Sequence, residues 1–492
     1  MTRRKAFIIV LSLFLLSVFI RLPNLNRPVS KHHEFMSALM LINIESWRQG
    51  GGGNTFHYVP LLNFQNPADK YPGKSVWLDQ RGNEWYLSLG PGWYIIPYFI
   101  YQIFNLPADP IYLRIINLVF NLFSVLLFFY FLELMLLPEE KERYLIIIGG
   151  CLLFMFTPGI LWYLGNGYAH TGVMIPFVIT FLLLTLPMLA SPEKINILRL
   201  FSLAILIILF VFIDWFIIFL CIVAGLFALW KMRYAKRYVL LSATLFMPPV
   251  TGVLLLFLQF ASYGGAEAVA AYWKARFFVR SIANESTPFL MMAGYLIMHL
   301  ITAFLPLIIL IAVTWLWLHF QKKAIAFSKK EMLFLKLYFC SLFLYNLILL
   351  EWSFEHEFSI LPWSVLLAYI GIRVAYPLII DKKNIYVLAS IYLTMSVSQY
   401  YFINRPGRIS RDGMAYNTFQ VFGEQLKQVP ADYKIFSNLE TNAPMIEYYA
   451  GRNISVKPSY DEAKKYMQER NIIKAVWVEQ DKYQLRKITI IR

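Results

Sequence analysis

Residues 87–104 read LSLGPGWYIIPYFIYQIF, and whether this run crosses a bilayer sets the side on which every later loop falls. A helix needs about 20 apolar residues to cross the hydrocarbon core. Gly90, Pro91, Gly92 and Pro97 interrupt this run, and proline removes a backbone donor that a spanning helix must satisfy internally. Working outward, eleven other runs qualify as spans: 6–22, 111–136, 144–163, 171–190, 196–213, 215–231, 237–260, 289–318, 331–350, 358–380 and 384–402. The chain of 492 residues is 59% hydrophobic and 15% charged. Soluble proteins carry roughly 25% charged residues, so the apolar excess excludes a soluble globular fold.

Loop charge decides the ambiguous run. Lys and Arg favour the cytoplasmic side of short loops. If 87–104 does not cross, one side collects Arg3, Arg4 and Lys5, then Lys141 and Arg143, Lys194 and Arg199, Lys231 to Arg237, Lys322 to Lys330, and Lys382 with Lys383. The opposite short loops carry only Lys274, Arg276 and Arg280. A crossing at 87–104 would set the basic N-terminus against all the other basic loops. The run is therefore expected to dip into the membrane or lie along it. The first outer loop, about 23–110, is expected to carry its own membrane-associated helices.

The N-terminus, MTRRK followed by an apolar run, resembles the start of a signal peptide. No small-x-small cleavage site follows, so an uncleaved first span is expected. The net charge of +16 sits in short turns between apolar runs, which argues against nucleic acid as a partner and for membrane lipids. Cys151, Cys221 and Cys340 lie singly inside apolar runs, with no CxxC pair for zinc or redox chemistry. An odd number of crossings puts the N-terminus in the cytoplasm and the tail, 403–492, outside. Strands are expected at Lys434–Ser437, Ile454–Lys457 and Lys474–Val478, with helices near 443–450 and 460–470. That alternation predicts a small α/β domain with parallel strands. The expected fold is thus an all-α polytopic membrane domain over 1–402, with about eleven crossings, and an extracytoplasmic α/β domain over 403–492.

The large polar segments all fall on the outer side, so any chemistry is expected there. Lys31-His32-His33-Glu34 precedes FMSALMLINIESW, which can form an amphipathic helix. An imidazole beside a carboxylate makes a general-base site; a solvated loop at a membrane-surface helix is the other reading. Arg276 and Arg280 are four apart, hence on one helix face. Together with Lys274 they suit a phosphate, or else snorkel to lipid head groups. Glu351, Glu355, His356 and Glu357 surround one histidine in EWSFEHEFSILP. They could contact substrate or hold a divalent metal, and a substrate-contacting or structural role is the better match. Tyr168 and His170 also face outside, and Asp214 in FIDWF is read as a turn residue.

Over roughly residues 1–400 the layout resembles the GT-C superfamily of polyprenyl-phosphate-sugar-dependent glycosyltransferases. Protein O-mannosyltransferases and lipid A aminoarabinose transferases are its most similar members. The resemblance rests on the first span, the long outer loop with an acidic motif near its start, YLSLGPGWYIIPYF, Arg114 in YLRIINLVFN, and HEFSILPWSVLLAY. The family usually has Asp-Glu at the start of that loop, with the Asp as base; here the matching pair is His33-Glu34. The resemblance implies inverting sugar transfer from a polyprenyl-phosphate donor to a lipid, glycan or protein acceptor at the outer face of a bacterial plasma membrane. Glu34 or His33 would serve the acceptor. Arg276 and Arg280 would hold the phosphate, with Lys274, Arg114, His356 and Glu357 as further substrate contacts. A glycan polymerase or ligase is one rival. A transporter or flippase is another, although no internal repeat supports it.

Overall fold

The computed structural model describes residues 1–30, 34–71, 73–137, 142–282, 287–323, 325–379, 382–404, 416–439 and 444–491. Helix α1 (Arg3–Leu25) takes up the first apolar run, and α2 (Phe35–Gln49) follows directly on Glu34. Helix α3 (Gly92–Ile103) takes up only part of the 87–104 run. Its 12 residues reach about 18 Å at 1.5 Å per residue, short of a hydrocarbon core of about 30 Å. Pro91 sets its start as the residue before the first turn, a position where the missing N–H is not needed.

The remaining runs become α4 (Pro110–Met135), α5 (Arg143–Met155) with α6 (Pro158–Tyr163), α7 (His170–Ala190), α8 (Ile197–Val211), α9 (Phe216–Lys231) and α10 (Arg237–Gly264). Helix α11 (Ala266–Arg280) precedes α12 (Phe289–Phe320) and α13 (Lys329–Ile348); the short α14 (Leu350–Glu355) then leads to α15 (Trp363–Ile379) and α16 (Lys382–Asn404). Among the described residues six helices are long and apolar enough to cross a membrane: α1, α4, α7, α10, α12 and α13. Four shorter apolar helices, α5, α8, α9 and α15, accompany them. The protein is an integral, multi-pass membrane protein.

One expected span is corrected. Run 144–163 is two helices, because Thr157 turns to an extended conformation and Pro158 cannot donate to the preceding turn. A Cβ on Gly159 would stand 2.8 Å from the Ala303 Cβ, so only glycine lets α6 approach α12 this closely.

The chain divides into two compact units. Unit one holds Met1–Leu22, Arg114–Leu256 and Phe277–Ile403; unit two holds Pro23–Leu113, Phe257–Arg276 and Asn404–Arg492. In unit one, α15 packs on α5 and α12, α13 on α9, and α7 on α8. Phe128 stacks on Phe154 at 4.9 Å inside, while Leu15, Phe19, Leu198, Leu290 and Phe320 are exposed. Ring packed against ring within, and bare apolar side chains without, is the pattern of a bundle solvated by lipid tails.

Unit two is built around a sheet and the helices α2, α3, α17 (Thr418–Leu426), α18 (Pro444–Ala450) and α19 (Tyr460–Glu469). Strands β1 (Lys434–Ser437), β2 (Ile454–Val456), β3 (Ala475–Asp481) and β4 (Gln484–Ile491) lie in the order β2-β1-β3-β4. Strand β1 pairs in parallel with β2 and β3, as the sequence predicts. The antiparallel β4 is an addition to that expectation. It is joined to β3 by Lys482 and Tyr483, both at positive φ. A two-residue hairpin needs that conformation, but neither residue is the Asn or Gly that announces it. First loop and tail share contacts within this unit. Arg452 grips both oxygens of buried Asp69 at 3.1 Å, Asn453 accepts from Phe64 N at 2.9 Å, and α2 packs on α18.

Candidate active site

In unit two, Glu34 stands at the N-cap of α2 and is fully buried. One carboxylate oxygen meets Arg27 Nη2 at 2.8 Å, and the other accepts from Ser30 N at 2.8 Å. Arg27 also donates to Ser30 Oγ at 3.4 Å. The carboxylate therefore closes the turn that enters α2, and a buried ion pair of this kind holds its geometry firmly. Val29 N in the same turn donates to Tyr449 Oη at 2.6 Å, which ties the turn to α18. His33, its proposed partner, lies outside the described residues.

Arg276, on α11, donates from Nε to Ser88 Oγ at 2.7 Å and lies 5.5 Å from the centre of the Trp77 ring. Lys274 is exposed on the same helix. The sequence reading missed a carboxyl in this unit. Burial pushes Glu84 up to about 7, against the pull of the Arg276 guanidinium. Its backbone is fixed by Asn63 Oδ1, which accepts from Glu84 N at 2.9 Å. A carboxyl that titrates near neutrality can give and take a proton at physiological pH. Nothing in RGNEWY marks it, because burial arises only when the loop folds.

Unit one holds the other named candidates. Arg280 pairs with Glu355 and lies 3.9 Å from a Glu351 oxygen. The guanidinium expected to hold a phosphate thus stands among carboxylates of its own unit. His356 caps α14 and stacks on Phe358 at 5.0 Å. Glu357 is buried in the following turn. Among the described residues no three His, Cys, Asp or Glu side chains converge as a metal set.

Arg114 is 2% exposed and donates to Asn166 O at 3.2 Å. Tyr400 donates to Asn166 Oδ1 at 2.6 Å. Arg21, which the sequence reading did not select, borders the same loop. A Cβ on Gly165 would come within 2.5 Å of the Arg21 Cδ. In the amide orientation that satisfies both groups, Asn121 accepts from Arg21 at 2.7 and 2.8 Å. Buried guanidiniums at the end of spanning helices are rare and usually functional.

Asp214 does lie in the turn between α8 and α9, as its place in FIDWF suggests. It is also fully buried, 3.2 Å from His170 Nε2, and accepts from Phe216 N at 2.7 Å and from Tyr345 Oη at 3.3 Å. His170 stands against Trp352 and Phe358, both at 5.6 Å. A charged residue in the middle of an apolar run was the signal available; its partner lies 44 residues earlier by numbering, on α7, and only folding brings the two together.

No protein-family model matches the sequence, and no curated protein matches it. Solved structures do. ArnT from Cupriavidus metallidurans, bound to undecaprenyl phosphate, superposes with a TM-score of 0.57 at 10% identity, over 96% of this chain and 92% of ArnT. The archaeal oligosaccharyltransferase AglB from Archaeoglobus fulgidus, in complex with an inhibitory peptide and a dolichol-phosphate, superposes with a TM-score of 0.54 at 12% identity, over 96% of this chain and 69% of AglB.

Proposed function

We propose, from the GT-C fold that this chain shares with ArnT and AglB, that it is an inverting glycosyltransferase. It moves a sugar from a polyprenyl-phosphate donor to a lipid, glycan or protein acceptor. The observation that carries this reading is the superposition on ArnT bound to undecaprenyl phosphate along nearly the whole of both chains. The reaction takes place at the outer face of a bacterial plasma membrane, with the N-terminus in the cytoplasm and the tail outside. A cysteine introduced into the tail should react with an impermeant maleimide from outside; labelling from the cytoplasmic side alone would overturn that orientation.

The acceptor hydroxyl or amine must lose a proton as it attacks the anomeric carbon, and the lipid phosphate leaves with the bonding electrons. Glu34 is the proton acceptor in this proposal, with His33 beside it in sequence. Arg276 stabilises the charge that develops on the departing phosphate. Glu84 balances Arg276: as phosphate takes over the guanidinium, Glu84 loses the group that favours its ionised form and takes up a proton.

The test is transfer from a radiolabelled polyprenyl-phosphate sugar in purified membranes. Glu34→Gln should lower kcat by about 10²–10⁴-fold, the usual contribution of a general base. Glu84→Gln should instead change donor KM and remove a pH inflection near 7. Full transfer by both Glu34→Gln and His33→Ala would rule out the assigned base.

A further inference from the structure

Unit two contains a cavity of about 620 Å³ bounded by Pro67, Ala68, Lys70, Tyr71, Gly73 and Gln80–Gly82 from the first loop, and by Asp432, Lys434 and Asn471–Lys474 from the tail. Small-molecule sites commonly enclose about 300–1,000 Å³. Four cations line it, Lys70, Arg81, Lys434 and Lys474, against one carboxylate, Asp432. That carboxylate is already occupied, 2.5 Å from Lys474 Nζ.

The cations are not equally placed. Lys434 is 3% exposed, an unusual location for an ammonium. It donates to Lys70 O at 3.1 Å and to Ala68 O at 3.4 Å, and lies 4.7 Å from the centre of the Tyr71 ring. An ammonium has three donors, and among the described residues the third has no acceptor. Lys70 donates to Phe64 O at 3.0 Å and to Asn83 Oδ1, both uncharged. Arg81 is exposed; its backbone N donates to Asp79 Oδ1 at 2.8 Å, and its guanidinium has no hydrogen-bond or ion-pair partner among the described residues. Burial draws both lysines down to about 8. Both stay largely protonated at neutral pH, favoured by Asp69 near each, with Asp79 near Lys70 and Glu447 near Lys434, while Asp432 is the one carboxylate among the residues that line the cavity.

The rest of the lining is mixed. Gln80 and Asn471 offer amides, while Tyr71, Ile472 and the highly exposed Ile473 offer apolar surface. Amides suit hydroxyl groups and apolar surface suits the C–H face of a sugar ring.

We infer that the cavity lined by Lys70, Arg81 and Lys434 is a binding site for an anionic saccharide, one bearing a phosphate or a carboxylate. The site belongs to unit two alone and stands whether or not the chain transfers sugar.

Binding is measured on the full-length protein in detergent micelles by calorimetry, with glucose 6-phosphate, glucuronate, glucose and inorganic phosphate as probes. At least one of the two anionic sugars should bind, and glucose should not. Which of them binds tells phosphate from carboxylate. Arg81→Gln, at an exposed position with no fold contact to lose, should weaken that binding at least tenfold, as should Lys434→Gln. Unfolding of the buried Lys434 variant would leave Arg81→Gln as the deciding measurement. Binding of glucose as tight as that of its phosphate, failure of both anionic sugars to bind, or unchanged affinity in Arg81→Gln would each overturn the proposal. Inorganic phosphate binding as tightly as glucose 6-phosphate would overturn the saccharide part. These outcomes are independent of the transfer assay, so loss of transfer with binding intact would count against the transferase reading only.

Discussion

In unit one, Glu331 meets Arg373 at 2.7 Å and accepts from Tyr369 Oη at 2.5 Å, and Asp214 lies 3.2 Å from His170. In unit two, Glu84, Glu447, Lys70 and Lys434 are all drawn by burial toward protonation equilibria between about 7 and about 8. The contrast follows from what surrounds each unit. Lipid offers a charge nothing, so charges in a bundle of spanning helices must be closed by a partner. A unit with an open polar cavity tolerates groups that gain and lose protons, and acid–base chemistry needs such groups. Unit two has closed pairs as well, Arg27 with Glu34 and Arg452 with Asp69, so the difference is that it also holds charge that titrates near neutrality.

The largest effect that would break this contrast concerns Glu331. Glu331→Ala leaves the Arg373 guanidinium buried without its carboxylate, and should destabilise the bundle by about 3–5 kcal/mol. Chemical unfolding in micelles measures this; a loss below about 1 kcal/mol would mean that the pair is not closed. An intermediate effect concerns Glu447, which accepts from Ile454 N at 2.9 Å and is influenced by Glu84, Asp69 and Lys434. Its folded value is about 8 against an ordinary 4.5. The folded state therefore holds a proton that the unfolded chain releases, and stability falls as pH rises from 4.5 to 8. Lys70 and Lys434 act in the opposite sense above pH 8, where the unfolded chain stays protonated up to about 10.5. Glu447→Gln should gain up to about 4 kcal/mol over the parent at pH 8 and nothing at pH 4. A gain that does not depend on pH would show that Glu447 is not the titrating group.

The smallest effect is a control. Ser328 caps α13 in unit one with a reciprocal Glu331 bond, and Ser459 caps α19 in unit two, accepting from Glu462 N at 3.2 Å. Ser328→Ala and Ser459→Ala should each cost about 1 kcal/mol. Equal losses in thermal unfolding would sharpen the contrast by confining it to buried charge; a large inequality would show that local helix chemistry differs as well.

Arg276 and Arg280 show how far spacing alone can be trusted. Four residues apart on α11, they share a helix face. Yet Arg276 is engaged by Ser88 and Arg280 by Glu355. Spacing fixes direction within one element; which neighbour fills that direction depends on chain segments far away in sequence. The same holds for Asp214, whose place in a turn was visible and whose burial and partner were not. Glu34 was legible as the one carboxylate at the head of α2, but its closure by Arg27 was not.

What the sequence by itself determined is the part that depends on local composition. Apolar run length set the helices, loop charge set the expected sidedness, and proline and glycine in LSLGPGWYIIPYF kept α3 too short to cross. The parallel strands of the tail were legible in the same way. Only the tertiary structure decided the break at Thr157–Pro158, the Lys482–Tyr483 hairpin that adds β4, the shared contacts of first loop and tail, and the titration of Glu84 and Glu447. Hydrophobicity is carried by single residues and survives any arrangement, whereas burial and ion pairing belong to pairs of residues. Those pairs exist only once the chain has brought them together.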